Sequence, residues 1–172
     1  MRLFPFLLLS LALAIFAQAA DPIQVTVGSF VFTRPEPWGW VAPASPMRKA
    51  QFSVPGLDGS APAEVAFFHF GAGQGGSVQA NVDRWFKQFS GGSTDAKTER
   101  VGNTMVTFVR AFGTFSSGMP GGPTTPLKDY AMRGAILESP AGDVYVKMTG
   151  PQGVVKQAEP TFDKMIGEAA SR

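Results

Sequence analysis

Residues 68–85 read FHFGAGQGGSVQANVDRW, and within them Gly71-x-Gly73-x-x-Gly76 stands between an apolar run that reads as a strand and a stretch that reads as a helix. This spacing can cradle a pyrophosphate on a helix N-terminus, and Asp95 lies where an acid would hold a ribose, about 20 residues on. The setting argues against nucleotide binding through Gly71–Gly76. In that fold the acid ends an apolar parallel strand, whereas Asp95 follows Ser90-Gly91-Gly92-Ser93-Thr94, which reads as a loop, and the neighbouring turns signal antiparallel hairpins. The glycines then serve to let the chain leave a sheet and turn sharply into a helix.

His69 is the only histidine, so it alone could act as a general base near neutral pH, which keeps a hydrolase-like enzyme as the alternative reading. No Gly-x-Ser-x-Gly occurs, and Ser77 sits where a helix N-cap is expected. With no cysteine and one histidine, a metal site would rest on carboxylates, yet no calcium-loop pattern is present and the acids are dispersed. The sequence therefore assigns no catalytic residue, no metal and no cofactor. The candidate ligand- or partner-binding residues are Trp38, Trp40, His69, Gln74, Met119 and Tyr130, because aromatics beside Gly/Pro loops make concave binding surfaces. A competing reading makes the tryptophans part of the core at a sheet edge.

The start of the chain bears on where such a surface would work. Arg2, an apolar stretch from Leu3 to Phe16 and the Ala17-Gln18-Ala19 triplet form a secretory signal peptide, with cleavage expected near Ala19 or Ala20. Residues 1–20 are thus the leader and 21–172 a single α+β domain, placed in a bacterial periplasm or outside the cell. The absence of cysteine excludes disulfides, thiolate metal sites and a lipid anchor. No later apolar stretch approaches the ~20 residues of a membrane span, so no stable membrane insertion is expected after cleavage. The formal net charge is +2, falling to about +1 without Arg2, and the cations are scattered, which excludes nucleic acid as a partner.

The elements that must position these residues are mostly strands. IQVTVGSFVFTRP gives two short strands around Gly28-Ser29, after which Pro35, Pro37, Pro43 and Pro46 argue for an ordered loop anchored by Trp38 and Trp40. MRKAQFSVP and AEVAFFHF form a hairpin about Asp58-Gly59. The second strand sets Val65, Phe67 and His69 on one face and Ala66, Phe68 and Phe70 on the other, so both faces must be covered. Helical spacing of Val78, Val82, Trp85 and Phe89 follows, with Gly91-Gly92 as the stop. Two further hairpins turn at Gly102-Asn103 and at residues 139–142, with a Gly/Pro loop over 116–129 between them. A last helix is expected from Glu159, with Pro160 in its first turn and Phe162, Met165 and Ile166 on its apolar stripe.

This order of features resembles a group of small, signal-bearing bacterial proteins of unknown function. The resemblance rests on the strand ending at Phe32, the prolyl turn with Trp38, MRKAQF, AEVAFFHFGAGQGGSVQANVDRWFKQF, Gly113 to Phe115, GMPGGP, and VYVKMTGP before a C-terminal helix. More distantly it resembles the PsbP-like fold of photosystem II extrinsic subunits and of a Ran-binding import factor. The resemblance implies an antiparallel β-sheet flanked by helices, an α/β/α sandwich, on a scaffold that binds partners rather than catalyses. The expected function is a non-catalytic soluble protein that binds a protein partner or a small-molecule ligand through the glycine loop and the 116–129 loop.

Overall fold

The computed structural model describes residues 23–43, 45–117 and 125–172, so the leader and Met119 lie outside the described residues. The first hairpin joins β1, Gln24–Val27, to β2, Phe30–Thr33, and forms a small sheet of its own. The main sheet has seven strands. These are β3 (Gly39–Trp40), β4 (Arg48–Val54), β5 (Ala63–His69), β6 (Phe89–Val101), β7 (Thr104–Ser117), β8 (Thr125–Leu137) and β9 (Val144–Pro151). Their spatial order is β3-β4-β5-β9-β8-β7-β6, and every pairing among them is antiparallel. Helix α1, Val78–Phe86, follows β5, and helix α2, Gln152–Ala170, follows β9. The described residues are therefore α+β, an antiparallel sheet with two helices.

The period-two alternation of the strands decides what each helix covers. Val65 and Phe67 of β5, with Val146 and Met148 of β9, point to the face that α2 and the β1-β2 hairpin bury. Phe32, Phe52, Phe67 and Phe162 are fully enclosed there. On the opposite face, Val82 and Trp85 of α1 pack against Val109, Met132, Ile136 and Tyr145. The expectation that β5 is covered on both sides holds for its Val65 and Phe67 face, and on the other face in part, with Ala66 buried and Phe68 half-buried.

Five boundaries differ from the sequence reading. Helix α1 stops at Phe86, short of Gly91-Gly92, and Phe89, read as part of its apolar stripe, opens β6 instead. Helix α2 begins seven residues before Glu159, and Pro160 lies inside it, because Val154, Val155 and Ala158 extend the apolar stripe upstream. Pro160 is exposed, as is Lys156, whose carbonyl loses its helical partner to the proline. Ser90–Thr94, read as a loop, belongs to β6, which pairs only with β7 and absorbs its glycines in a bulge between Ser90 and Ser93. A Cβ on Gly92 would sit on the Phe112 carbonyl, so this close approach requires glycine. Ser116, Ser117 and Thr125–Asp129, read as loop, continue the β7-β8 ladder, with Ser117 opposite Thr125. Pro126 is tolerated because β8 has no β9 neighbour beyond Tyr130. Finally, the proline-rich crossing contains the two-residue β3, which pairs with β4.

Ser77 caps α1 as its sequence position suggests, accepting a hydrogen bond from the Ala80 amide at 3.2 Å. Ser77→Ala is expected to lower stability by about 1 kcal/mol, read as a shift of the urea midpoint at unchanged slope. A larger loss would mean that the serine holds more than its helix.

Candidate ligand-binding groove

Helix α1 is only nine residues long, and where it stops the sheet face opposite α2 is left open. Its position is fixed by Trp85, which lies over Gly134 of β8 so closely that a Cβ there would come within 2.5 Å of the indole. Beyond the helix end runs a groove of about 620 Å³, floored by β5 and β9 and walled by β4, β7 and β8. Arg48, Glu64, Phe68, Phe115, Tyr130 and Lys147 are its principal side chains, with Gln88 at the α1-β6 junction. It is far roomier than the recess of about 170 Å³ beside Trp38.

The aromatic wall depends on a register irregularity. Between Gly113 and Phe115 the ladder shifts, and Asp129 on β8 takes a φ of +54°. The Phe115 and Tyr130 rings then stack, with centroids 6.2 Å apart and planes 5° from parallel, while Phe89 supports Phe115 at 5.1 Å.

The cations in the groove are held differently. Arg48 pairs with Glu64 at 2.7 Å and donates to Gln51 Oε1 at 2.6 Å, and Gln51 in turn donates to Glu64 at 2.9 Å, a closed triangle of matched charge. Lys147 donates to Gln88 Oε1, and its amine sits 5.2 Å from the centre of the Phe115 ring. No carboxylate among the described residues forms an ion pair with it. Burial lowers the Lys147 pKa to about 8; the field of Glu64 opposes that shift and Arg48 adds to it. The groove thus presents an amine that is cationic below pH 8, next to a flat aromatic wall.

Of the six residues singled out in the sequence, only Tyr130 lines this groove. Trp38 is buried in the α2-side core, and Trp40 leans edge-on against Phe52 at 6.2 Å on that same side. Both tryptophans therefore follow the core reading. The β3-β4 pairing and the α2 packing draw them away from Tyr130, so the six do not form one surface. His69 ends β5 with Nε2 3.2 Å from the Ala141 carbonyl oxygen, a backbone partner of the kind a strand-end histidine finds. Gln74 is exposed in the glycine loop, and Met119 lies outside the described residues.

The glycine loop itself is tied down by protein groups. Buried Asn81 donates to the carbonyls of Gly75 at 2.8 Å and Ser77 at 2.9 Å, and Gly71, Gly73, Gly75 and Gly76 all have positive φ. The preceding strand is antiparallel to both neighbours, and Asp95 stands on the far edge strand opposite Arg110, away from any ribose-binding turn. Sequence reasoning missed Lys147, Phe115, Arg48, Glu64 and Gln88. A signal for the first was present: VYVKM places one lysine in a strand otherwise apolar on both faces.

No family model and no curated protein matches this chain. Among solved structures it is similar to PA94, a protein of unknown function from Pseudomonas aeruginosa for which a regulator role has been suggested. The TM-score is 0.54 at 12% identity, covering 89% of this chain and 99% of PA94. At that identity the likeness concerns the fold alone.

Proposed function

We propose that this chain is a non-catalytic, soluble binding protein of the bacterial periplasm or exterior, which holds a small ligand in the Lys147 groove. In this reading residues 1–20 are a cleaved leader, and 21–172 form one domain, a PsbP-like α/β/α sandwich. The observation that carries it is the placement of Lys147. An amine held by one neutral amide beside stacked Phe115 and Tyr130 suits a planar molecule with an anionic or strongly accepting end. Natural cores avoid such a cation unless its cost is offset, and a bound acceptor would offset it. The rival, a hydrolase built on His69, has less support because the ring nitrogen is already engaged by Ala141.

Thermal-shift titration with 4-hydroxybenzoate tests the groove. Saturation at 100 times the dissociation constant should add about 2.7 kcal/mol of stability, and Phe115→Ala should remove that gain. No shift in the wild-type protein, or an equal shift in the variant, would sink the reading.

A further inference from the structure

Lys147 has a second property that a purely electrostatic contact would leave unused. Its amine ends inside a solvent-connected groove, fixed by Gln88 on one side and facing the Phe115 ring on the other, so a molecule stacked on that wall brings its end group to the nitrogen. The other six lysines, Lys49, Lys87, Lys97, Lys128, Lys156 and Lys164, are all exposed. We propose that the groove captures planar aromatic aldehydes covalently and reversibly, with Lys147 forming an imine. The inference rests on the groove being a ligand site and specifies the chemical class that it takes.

The step balances without an added oxidant or reductant. The neutral amine's lone pair attacks the carbonyl carbon, a C–N bond forms, and the carbonyl π pair moves to oxygen, which takes up the proton that the nitrogen gives up. The carbinolamine then loses its hydroxyl as water while the nitrogen lone pair forms the C=N bond and the nitrogen gives up its remaining proton, and hydrolysis reverses both steps. Burial favours the neutral amine that the attack needs. At pH 7 about a tenth of Lys147 is unprotonated, against less than about a thousandth of an ordinary lysine. The groups facing the amine set this balance. Glu64 on β5 favours the cation, Arg48 on β4 opposes it, and Gln88 accepts a hydrogen bond from the amine. The aromatic wall supplies orientation, holding the aldehyde so that its carbon is met by one amine rather than by seven.

The test incubates the purified protein with 4-hydroxybenzaldehyde and sodium cyanoborohydride, which reduces any imine to a stable secondary amine, and maps the product after tryptic digestion. Modification at Lys147 blocks cleavage there and yields a peptide from Gly134 to Lys156 carrying the aldehyde mass. At pH 7 the expected result is labelling of Lys147 at least about tenfold above any exposed lysine, rising as the pH passes through 8. Labelling spread over the exposed lysines, or absent from Lys147, overturns the proposal. The unreactive acid 4-hydroxybenzoate, run alongside in the thermal shift, separates the two levels. A shift without the Lys147 adduct refutes imine capture alone, and neither a shift nor an adduct refutes the groove as well. Lys147→Met should abolish the adduct while leaving the background on exposed lysines unchanged.

Discussion

Replacing Phe67 with alanine is expected to cost about 3–5 kcal/mol of stability and to lower the melting temperature by roughly 10 °C. Phe67 is fully buried at the middle of β5, with Ala50 of β4 on one side and Val146 of β9 on the other. Its ring meets Phe32 and Phe52 edge-on, each at a centroid distance of 5.0 Å, so it joins the small β1-β2 sheet to the main one. Truncation removes the transfer energy of the ring and leaves a cavity between two sheets that cannot both collapse into it. Urea unfolding followed by tryptophan fluorescence reads the loss. Phe112→Ala is the control: that ring is 42% exposed, and its removal should stay within about 0.5 kcal/mol. Equal losses in the two variants would mean that the three-phenylalanine contact does not hold the layers together.

The second expected effect has the opposite sign. Lys147→Met should stabilise the unliganded protein by about 1–2 kcal/mol at pH 7, because it removes a cation that burial disfavours and substitutes an apolar chain of similar length. The open mouth of the groove keeps the figure below what the shift alone would give. The accompanying pH dependence has a definite direction. A lysine whose folded pKa of about 8 lies below its unfolded value of about 10.4 binds fewer protons when folded. Stability therefore rises with pH between those values, and the penalty is fully present below pH 8. Urea midpoints measured at pH 7 and 9.5 should climb in the wild-type protein, by about 2 kcal/mol at most, and should climb less in Lys147→Met. A wild-type protein with a flat profile over that window would show that the amine is better solvated than its surroundings suggest.

These two residues mark how far the sequence could be read. Phe67 was legible, because AEVAFFHF is a short apolar run and the Asp58-Gly59 turn pairs it with MRKAQF. The hairpins all rest on local turn chemistry, so their strands were placed within a few residues. What local chemistry cannot encode is the joining of β5 to β9 across 75 residues of chain, which depends on tertiary packing. That joining puts Lys147 opposite Ala66 and within reach of Gln88 and Phe115, so the groove could not be assembled without it. Pro160 and the glycines of β6 misled for a related reason. Breaker residues lose their local meaning at an exposed position in a long helix, or on a strand with one neighbour. Tyr130 was found for its aromatic character, but its stacking partner came from the register shift at Gly113.

The two ends of the seven-stranded sheet are built unlike its middle. At one end β3 is two residues long and framed by Pro35, Pro37 and Pro43. At the other, β6 bulges at Ser90–Ser93 and then carries Asp95, Lys97, Glu99 and Arg100 in close succession. A neighbouring molecule that tried to add a strand would meet a short, proline-framed strand at the first border, and bent, charged backbone at the second. Strand addition is thereby disfavoured at both borders, and concentrating the protein is expected not to extend its sheet from one molecule to the next.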